Sequence, residues 1–277
     1  MIAVTPRNTP AKPAATNPAT TRDPLWQGYR AAAMLLLALL LSACQTIPQY
    51  RLNHRVLADE ALVTAPGRIL LLPLNVEVKE MSAGGLSDVV PEWTAEAKRI
   101  IRNHLLDKSG TLIPEHRITE LPPLDDAERD RLAEHTALAK LVWGDAFVLT
   151  RFGGSAWEHK AKKFDYSIGS GLTAFGDRTG TDKALLIIAE DLHTTSGRKA
   201  MWFMMAALGV AIPLGHSVVV ANLIDLNTGD VLWMNTWVSV GETSLRSTED
   251  VATAFSELFK SYPGIEDYRK YVGHDPD

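Results

Sequence analysis

The amino-acid sequence predicts an α/β domain, an α+β sandwich in which amphipathic helices cover a single mixed sheet of four to five strands. Three observations predict this class. Apolar runs with strand composition occupy 68–78 and 184–189. Two further strand-like segments flank a turn sequence near residue 228, and helical periodicities lie in the intervals between the strands. We expect the domain to extend over 68–262, behind an N-terminal leader and a tether, with a polar tail at 263–277.

The first predicted strand is the apolar run at 68–78, which is typical of a central strand covered on both faces. Pro73 lacks an amide proton, so we expect regular pairing to break within this run. A helix should then begin near Pro91, because proline is tolerated in the first helical turn. Its apolar face is formed by residues at helical spacing: Trp93, Ala97, Ile100, Ile101 and Leu105.

The middle of the chain carries weaker signals. Asp125 or Asp126 can cap a helix that runs towards Ala139, with acidic residues in its first turn. The apolar segment 141–149 fits a second strand, and it also fits a continuation of this helix. Residues 153–180 are rich in glycine and aromatic residues and show no clear period.

The C-terminal part has the clearest strand pattern. The segment 184–189 is apolar throughout, which predicts a buried strand. The segments 217–226 and 231–238 flank the sequence Asn-Thr-Gly-Asp at 227–230, whose residue types favour a β-turn. We therefore predict a β-hairpin over 217–238.

The predicted domain ends in a helix over 248–260. Ser247 occupies its N-cap position and Asp250 the capping-box position. The chain that follows is polar, and we expect it to be irregular. Before the domain, 44–67 has mixed polarity and no sustained period, which predicts a tether that contains at most a short helix near 56–63.

The N-terminus has the three-part pattern of an export leader. Arg30 is followed by the apolar run AAAMLLLALLL at 31–41 and by Ser-Ala-Cys at 42–44. A basic segment, a short apolar segment and a small-residue cleavage site together indicate a signal peptide. The apolar run is shorter than the roughly 20 residues that a membrane-spanning helix needs. We therefore predict a signal peptide over 1–43 with an unusually long basic region.

Charge and cysteine content agree with export. The chain has a net charge of −5, and 1–43 holds four basic residues against one acidic residue, so the remainder is the more acidic part. There is no basic excess that would indicate nucleic-acid binding. Cys44 is the single cysteine, which excludes an intrachain disulfide.

The sequence Leu-Ser-Ala-Cys at 41–44 resembles the lipobox of bacterial lipoproteins. This resemblance implies thioether lipidation of Cys44, cleavage before it, and a lipidated tether over 44–67. Acyl chains hold a protein on a bilayer because each buried methylene contributes about 0.8 kcal/mol. In Gram-negative lipoproteins an aspartate after the cysteine usually signals retention in the inner membrane. Gln45 at this position therefore implies the periplasmic face of the outer membrane.

The order of elements carries a second resemblance. The strand with Leu-Pro at 69–74, the pattern Asp-x-x-Thr-Gly-x-x-x-Trp at 225–233 and the closing helix are similar to a superfamily of periplasmic lipoproteins. This superfamily includes the curli-secretion channel lipoprotein and the activators of peptidoglycan synthases. The segment 165–186 resembles a narrower set of proteobacterial lipoproteins. The resemblance covers most of 68–260 and implies envelope scaffolding, assembly or export without catalysis.

The sequence contains no motif with the spacing of a known catalytic or metal site. The eight histidines are scattered, without an H-E-x-x-H pair or a Cys/His cluster. Glu190, Asp191 and His193 follow a buried strand, where α/β proteins often place functional groups. An envelope hydrolase that uses these residues is the alternative function, and a solvated strand end is the plainer interpretation. A polar cleft would favour the hydrolase, whereas a flat or apolar patch would favour a scaffold.

Glycine and tryptophan residues have plain structural interpretations. Gly169 and Gly171 lack the spacing of a dinucleotide-binding motif, which predicts a loop. Trp202, Trp233 and Trp237 could line a binding face, but buried aromatic anchors are the commoner use.

The segment 200–215 is apolar on all sides, and no Asp, Glu, Lys or Arg occurs between Ala200 and Ile224. Such a helix must be buried or must contact another apolar surface. Three interpretations stay open: a core helix, an oligomer interface, or a membrane-contacting loop. The candidate contact residues for the last two are Trp202, Phe203, Met204 and Met205.

We therefore expect an outer-membrane lipoprotein that acts as a non-catalytic scaffold or as an accessory in envelope assembly or export. The expected partners are the membrane, through the lipid anchor, and an envelope protein, with homo-oligomers as a further option. We expect no catalytic residues, cofactor, metal or nucleic-acid partner. A secretion-channel subunit is the second alternative, and it would need alternating ten-residue hairpins that the sequence does not clearly contain.

Overall fold

The computed structural model describes residues 51–152, 163–207, 215–241, 243–265 and 268, without the side chains of 148–152 and Ala206. Its strands are β1 (Arg51–Leu52), β2 (Gly67–Leu71), β3 (Asn75–Met81), β4 (Ser87–Val89), β5 (His116–Glu120), β6 (Lys183–Thr194), β7 (His216–Asp225) and β8 (Val231–Val240). Its α-helices are α1 (His54–Ala58), α2 (Ala61–Thr64), α3 (Pro91–Asp107), α4 (Ser109–Leu112), α5 (Asp126–Phe152), α6 (Thr173–Thr179), α7 (Ser196–Ala207) and α8 (Thr248–Phe259). The predicted signal peptide and Cys44 lie outside the described residues.

The strands form one mixed sheet, which confirms the predicted α/β class. The order of hydrogen-bonded strands along its main path is β1-β8-β7-β6-β2-β5. In addition, β3 pairs with the second half of β6, and β4 pairs with β3. The described ranges contain eight strands, so the expected number of four to five is wrong. The additional strands β1, β4 and β5 have two to five residues. Strands this short carry too few residues for a visible alternating pattern.

Pro73 divides the first predicted strand in two, as expected. β2 ends at Leu71 and β3 begins at Asn75, and both pair parallel with the same edge of β6. The backbone N–H of Leu72 still donates to the carbonyl oxygen of Leu185 at 3.0 Å. The break therefore places two strands end to end along the twelve-residue β6.

Helices cover both faces of the sheet, and β6 explains why its sequence is apolar throughout. Leu185, Ile187 and Ala189 belong to the core beneath α3 and α8. Ala184, Leu186 and Ile188 point to the other face and pack with α5 and α6. Since alternate residues of a strand point to opposite faces, a strand covered on both sides needs apolar residues at every position. The predicted buried strand at 184–189 is confirmed.

The helix α3 begins at Pro91 and buries the predicted face, which confirms that element. The strand proposed for 141–149 is wrong, because α5 continues through it to Phe152. Leu132, Ala139 and Ala146 are buried at seven-residue intervals, so they form one continuous apolar stripe along α5 that packs against the sheet. The alternative prediction, a continuation of the helix, is the one that the structure confirms.

A reciprocal capping box starts α5. The Asp125 carboxylate accepts from the Glu128 backbone N–H at 2.8 Å, and the Glu128 carboxylate accepts from the Asp125 N–H at 3.0 Å. Two backbone donors that the first helical turn leaves without partners are satisfied in this way. The choice between Asp125 and Asp126 as the cap is thereby settled in favour of Asp125.

The predicted hairpin is confirmed as β7 and β8. At its turn, the Asp225 carboxylate accepts from the backbone N–H of Asn227, and Arg55 of α1 pairs with Asp225 and Asp230. Gly229 has a φ of +76°, and a Cβ there would lie 2.0 Å from the carbonyl oxygen of Gly169. The turn therefore requires glycine for its conformation and for its contact with the neighbouring loop.

Segments at both ends of the described chain pack onto the core. Val56 and Val63, which lie within the predicted tether, are fully buried. After α8, which the Ser247 hydroxyl caps as predicted, Tyr262 is also fully buried. Its hydroxyl donates to the carbonyl oxygen of Val63 at 2.9 Å. The part of the predicted tether that the structure describes is thus integrated into the domain.

No helix within the described ranges combines the length and the apolar character needed to cross a bilayer.

Candidate functional site

The candidate site lies at the end of the β7–β8 hairpin that is opposite its turn. The register of β6 with β7 places Leu192 opposite His216, so β6 finishes at this same end of the sheet. The backbone N–H of Gly241 donates to the carbonyl oxygen of Gly215 at 3.1 Å and joins the two hairpin strands there. We call this region, formed by the last residues of β6 and β8 and the first residues of β7, the open end.

Glu190 takes part in a partly exposed ion-pair group. Its carboxylate lies 2.6 Å from the Lys79 ammonium on β3 and 3.5 Å from the His216 ring on β7. The hydrogen bond to Glu190 raises the pKa of Lys79. Glu190 therefore links three adjacent strands.

Asp191 is fully buried, so the interpretation of 190–193 as a solvated strand end is wrong at this residue. Its carboxylate accepts from the Leu245 backbone N–H at 2.8 Å and from the Ser217 hydroxyl at 2.7 Å. The Nε2 atom of His193 lies 2.8 Å from the same carboxylate. A buried carboxylate is tolerated when several donors replace its water shell. This group fastens the 243–247 loop to the sheet.

The geometry of this group does not support the hydrolase alternative. His193 Nε2 lies 2.8 Å from Asp191 and 3.3 Å from the Ser244 hydroxyl. In a catalytic triad the acid contacts one ring nitrogen and the nucleophile contacts the other, so that the ring can accept and pass on a proton. Here a single nitrogen serves both contacts. The arrangement is that of a structural hydrogen-bond network.

A cavity of about 340 Å³ opens beside this network. This volume falls in the range of small-molecule sites, roughly 300–1,000 Å³. The described lining residues combine aromatic, cationic, hydroxyl and glycine positions: His193, Thr194, Lys199, Trp202, Phe203, Gly215, Gly241, Ser244 and Arg246. The strand end is thus concave, but its described lining holds cations and aromatic rings and no carboxylate.

Arg246 is held against this cavity by an aromatic contact. Its guanidinium carbon lies 4.0 Å from the centre of the Trp93 ring on α3, which is the geometry of a cation–π contact. Trp93 in turn packs edge-to-face on His193, with ring centres 5.8 Å apart. The buried Nε of Arg246 has no hydrogen-bond acceptor among the described residues.

The helix α7 borders the cavity and exposes apolar side chains. Of the four predicted contact residues, Phe203 is 68% exposed and Met204 is 71% exposed, while Trp202 and Met205 are half-buried. Val240, at the end of β8, is 79% exposed. The exposure of Phe203 and Met204 contradicts the interpretation of this segment as a fully buried core helix. The remainder of the predicted apolar segment, at 208–214, lies outside the described residues.

Other residues that the sequence singled out have a structural role in the fold. Trp233 is fully buried and stacks on Phe259 with ring centres 5.3 Å apart, which confirms its role as an aromatic anchor. Gly169 has a φ of +78° in the loop before a 3₁₀ turn, which confirms a loop glycine. Among the residues that the structure describes, no three His, Cys, Asp or Glu side chains are grouped to hold a metal ion.

Sequence reasoning missed three components of the open end. Trp93 fits the apolar face of α3, and the helical pattern alone does not distinguish a core tryptophan from one that forms a cation–π contact with an arginine. Arg246 directly precedes the cap of α8, where a charged residue carries no periodic signal. Ser217 is the second residue of the strand β7, and a lone serine in such an apolar run is a signal for a buried polar partner.

Comparison with known proteins finds only distant structural likeness. No family model matches the sequence, and no curated protein does. The PelC dodecamer from Paraburkholderia phytofirmans matches at 12% identity over 70% of this chain and 86% of that chain, with a TM-score of 0.29. The C-terminal domain of LpoB from Salmonella enterica matches at 12% identity over 69% and 96%, with a TM-score of 0.26. The lipoprotein GNA1162 from Neisseria meningitidis matches at 13% identity over 64% and 81%, with a TM-score of 0.27.

Proposed function

We propose that this protein is a lipid-anchored accessory protein of the cell envelope, which holds a partner protein at its open end and acts without catalysis. The observation that carries this proposal is the exposed apolar surface formed by Phe203, Met204 and Val240. Phe203 and Gly241 line one cavity, so the backbone at the end of β8 lies near α7. We call these three residues the apolar surface.

The chemistry of the apolar surface favours association. A contiguous exposed apolar patch is uncommon on a soluble monomer and usually marks an interaction site. Aromatic residues and methionine are also enriched at the centres of protein interfaces. The apolar surface contains both, together with a β-branched residue at a strand end.

The outer edge of β8 favours a protein partner over lipid. β1 pairs only with Trp233 and Met234, and no other described strand pairs with that edge between Asn235 and Val240. Where such a strand edge is open, another chain can add a strand to it. Lipid offers no such hydrogen bonds. The same edge would suit a second copy of this chain, which is the homo-oligomer expected from the sequence.

The predicted anchor supports a location at a membrane surface. Cys44 lies seven residues before Arg51, the first described residue of the sheet. Seven residues span at most about 25 Å, so lipid on Cys44 would keep the domain within that distance of the bilayer. β1 runs antiparallel to β8, so its N-terminal end points towards the open end. A partner in the same membrane would therefore lie within reach of the apolar surface.

The proposal is tested by affinity purification from crosslinked membranes with the full-length protein as bait. The variants are Cys44→Ala, the double variant Phe203→Ser/Met204→Ser, and Leu141→Ser as a control on α5. Leu141 is 71% exposed, as is Met204, so the control changes a side chain of equal exposure. We expect a defined envelope protein to co-purify with the wild type and with Leu141→Ser, and to be lost with the double variant. Loss of membrane fractionation is expected for Cys44→Ala. Equal recovery of the same partner by the double variant would overturn the proposal.

A further inference from the structure

We propose that a groove between α5 and the loop 121–124 binds a fatty acid, with the acyl chain along the groove and the carboxylate at Lys140. The groove shares no described lining residue with the cavity at the open end, and the inference does not depend on the partner protein proposed above. Its volume is about 570 Å³, within the range of small-molecule sites, roughly 300–1,000 Å³. Its lining comes from 73–75, from the loop and from α5 residues between Arg129 and Lys140.

The groove lies where two paired strands end at the same level. Leu71, the last residue of β2, pairs with Glu120, the last residue of β5. Beyond this pair, Pro73 and the two prolines of the loop 121–124 do not support regular pairing, because proline has no backbone N–H. The loop leads into α5, and the space between the loop and the helix stays open. Leu132 of α5 is 6% exposed and forms the floor of this space.

The walls of the groove suit a hydrocarbon chain better than a peptide. Pro73, Pro122 and Pro123 cannot donate backbone hydrogen bonds, and the leucine and alanine side chains of the lining carry no polar groups. The carbonyl oxygens of a bound peptide would lose water and find few donors there, which costs free energy for each unpaired group. An acyl chain has no such groups, so the burial of its apolar surface is favourable without that cost.

The length of the groove matches one acyl chain. The α5 part of the lining runs from Arg129 to Lys140, an interval that corresponds to about 16 Å of helix. The hydrocarbon core of a bilayer is about 30 Å thick, so each of its two leaflets holds acyl chains of about 15 Å. A single chain of the length found in membrane lipids therefore extends along the whole groove.

The two ends of the groove differ in their charge. At one end, the Arg129 guanidinium is paired with the Asp126 carboxylate. At the other end, Lys140 is exposed and takes part in no ion pair within the described part of the chain. The nearby Glu77 is itself paired with Lys79 at 3.0 Å. The carboxylate of a fatty acid therefore finds an available cation at the Lys140 end, which sets the direction of the ligand.

The test is photo-labelling of the full-length protein in isolated membranes with a diazirine derivative of palmitic acid. The same derivative of hexadecanol is the neutral probe, and peptide mass spectrometry locates the labelled residues. The variants are Ala137→Phe, which fills the groove, and Lys140→Ala with Lys140→Arg. Ala95→Phe on α3 is the control, because Ala95 is an exposed alanine outside the groove. Thermal unfolding of each purified variant verifies that it is folded.

We expect the acid to label peptides that contain 121–124 and 132–140, equally in the wild type and in Ala95→Phe, and an excess of palmitic acid to prevent this. Ala137→Phe and Lys140→Ala should be labelled about tenfold less by the acid, and Lys140→Arg should be labelled like the wild type. The neutral alcohol should label the wild type and Lys140→Ala alike. The inference is overturned if the wild type carries no label on these peptides, or if folded Ala137→Phe or Lys140→Ala is labelled by the acid like the wild type.

Discussion

The two ends of the β7–β8 hairpin are built in opposite ways. At the turn end, the guanidinium of Arg55 pairs with two carboxylates, those of Asp225 and Asp230, and the hydrogen bond to Asp230 raises the pKa of Arg55. At the open end, the guanidinium of Arg246 stacks on Trp93 and has no carboxylate partner among the residues that the structure describes. At the turn end, contacts within the chain satisfy the charged groups. At the open end, the Arg246 guanidinium has no carboxylate partner among the described residues, and apolar side chains are exposed.

This difference separates stability from contact. Gly229 packs directly on Gly169 at the turn end, so a change there must disturb the backbone. Phe203 and Met204 at the open end are mostly exposed, so a change there removes little burial. Between these extremes, the Asp191 network is a stabilising element that holds the open end in shape. We therefore expect large stability effects at the turn and large binding effects at the open end.

The largest stability effect is expected for Gly229→Ala. A Cβ would lie 2.0 Å from the Gly169 carbonyl oxygen, at a residue with a φ of +76°. Backbone strain and overpacking together should lower the free energy of unfolding by about 4 kcal/mol. Urea denaturation measures the change, with Gly144→Ala in α5 as the control because a Cβ there would meet no described atom within 4 Å. Equal stability of the two variants would contradict a closed turn end.

A smaller loss is expected for Asp191→Ala. The substitution leaves the buried Leu245 N–H without its acceptor, and it leaves the Ser217 hydroxyl with only the longer contact to the Thr243 carbonyl oxygen at 3.3 Å. Unsatisfied buried donors should lower the free energy of unfolding by about 3 kcal/mol. Asp107→Ala, at an exposed position near the end of α3, serves as the control in the same denaturation experiment. A change of less than about 1 kcal/mol would show that this carboxylate does not hold the open end together.

Tyr262→Phe tests whether the flanking segments belong to the domain. The variant removes one buried hydroxyl and leaves the Val63 carbonyl oxygen without this donor. We expect the free energy of unfolding to fall by about 1.5 kcal/mol. Hydrogen exchange should also become faster at 62–64 while α5 keeps its protection. Unchanged exchange in that segment would indicate that α2 and the segment after α8 do not depend on each other.

Two histidines, the buried His116 and the half-buried His104, should make the fold less stable in mild acid. Burial lowers the pKa of His104 and of His116 below the usual value of 6.5. The unfolded chain therefore binds more protons than the folded chain, and stability is lost as the pH falls below about 6.5. Denaturation at several pH values should show a flatter dependence for His116→Gln than for the wild type. Ile118→Val, which removes one buried methylene without a titrating group, should lower stability and keep the original slope.

The smallest stability effect is expected for Met204→Ser. Its side chain is 71% exposed, so the free energy of unfolding should change by no more than about 0.5 kcal/mol. Thermal unfolding of the variant measures this directly. A loss above about 1.5 kcal/mol would show that Met204 contributes to packing, and it would remove α7 from the apolar surface.

Much of the fold follows from patterns that are local in sequence. The helices α3 and α8 repeat with the period of a helix, the strand at 184–189 is a continuous apolar run, and the hairpin has turn residues between two strand-like segments; the structure confirms all four. The segment 141–149 is ambiguous because a short apolar run satisfies either period. The stripe of Leu132, Ala139 and Ala146 resolves it, but this stripe is evident only when the whole of α5 is considered.

The open end can be predicted from sequence only in part. Phe203 and Met204 stand out because an uncharged segment is unusual in itself, although their exposure is not evident from sequence. Asp191 is predicted at the correct strand end, and the expectation that it is solvated is wrong. Its partner Leu245 is 54 residues away in sequence. Contacts between residues so distant leave no periodic signal, and the same is true of Arg246 on Trp93.

The most direct test of the open end as the contact surface is photo-crosslinking in living cells. A photoreactive amino acid is placed at position 204 and, in a second strain, at position 141, which has the same exposure. The proposed function predicts one discrete protein adduct from position 204, in the membrane fraction, and none from position 141. Adducts of equal yield from both positions, or none from position 204, would contradict it.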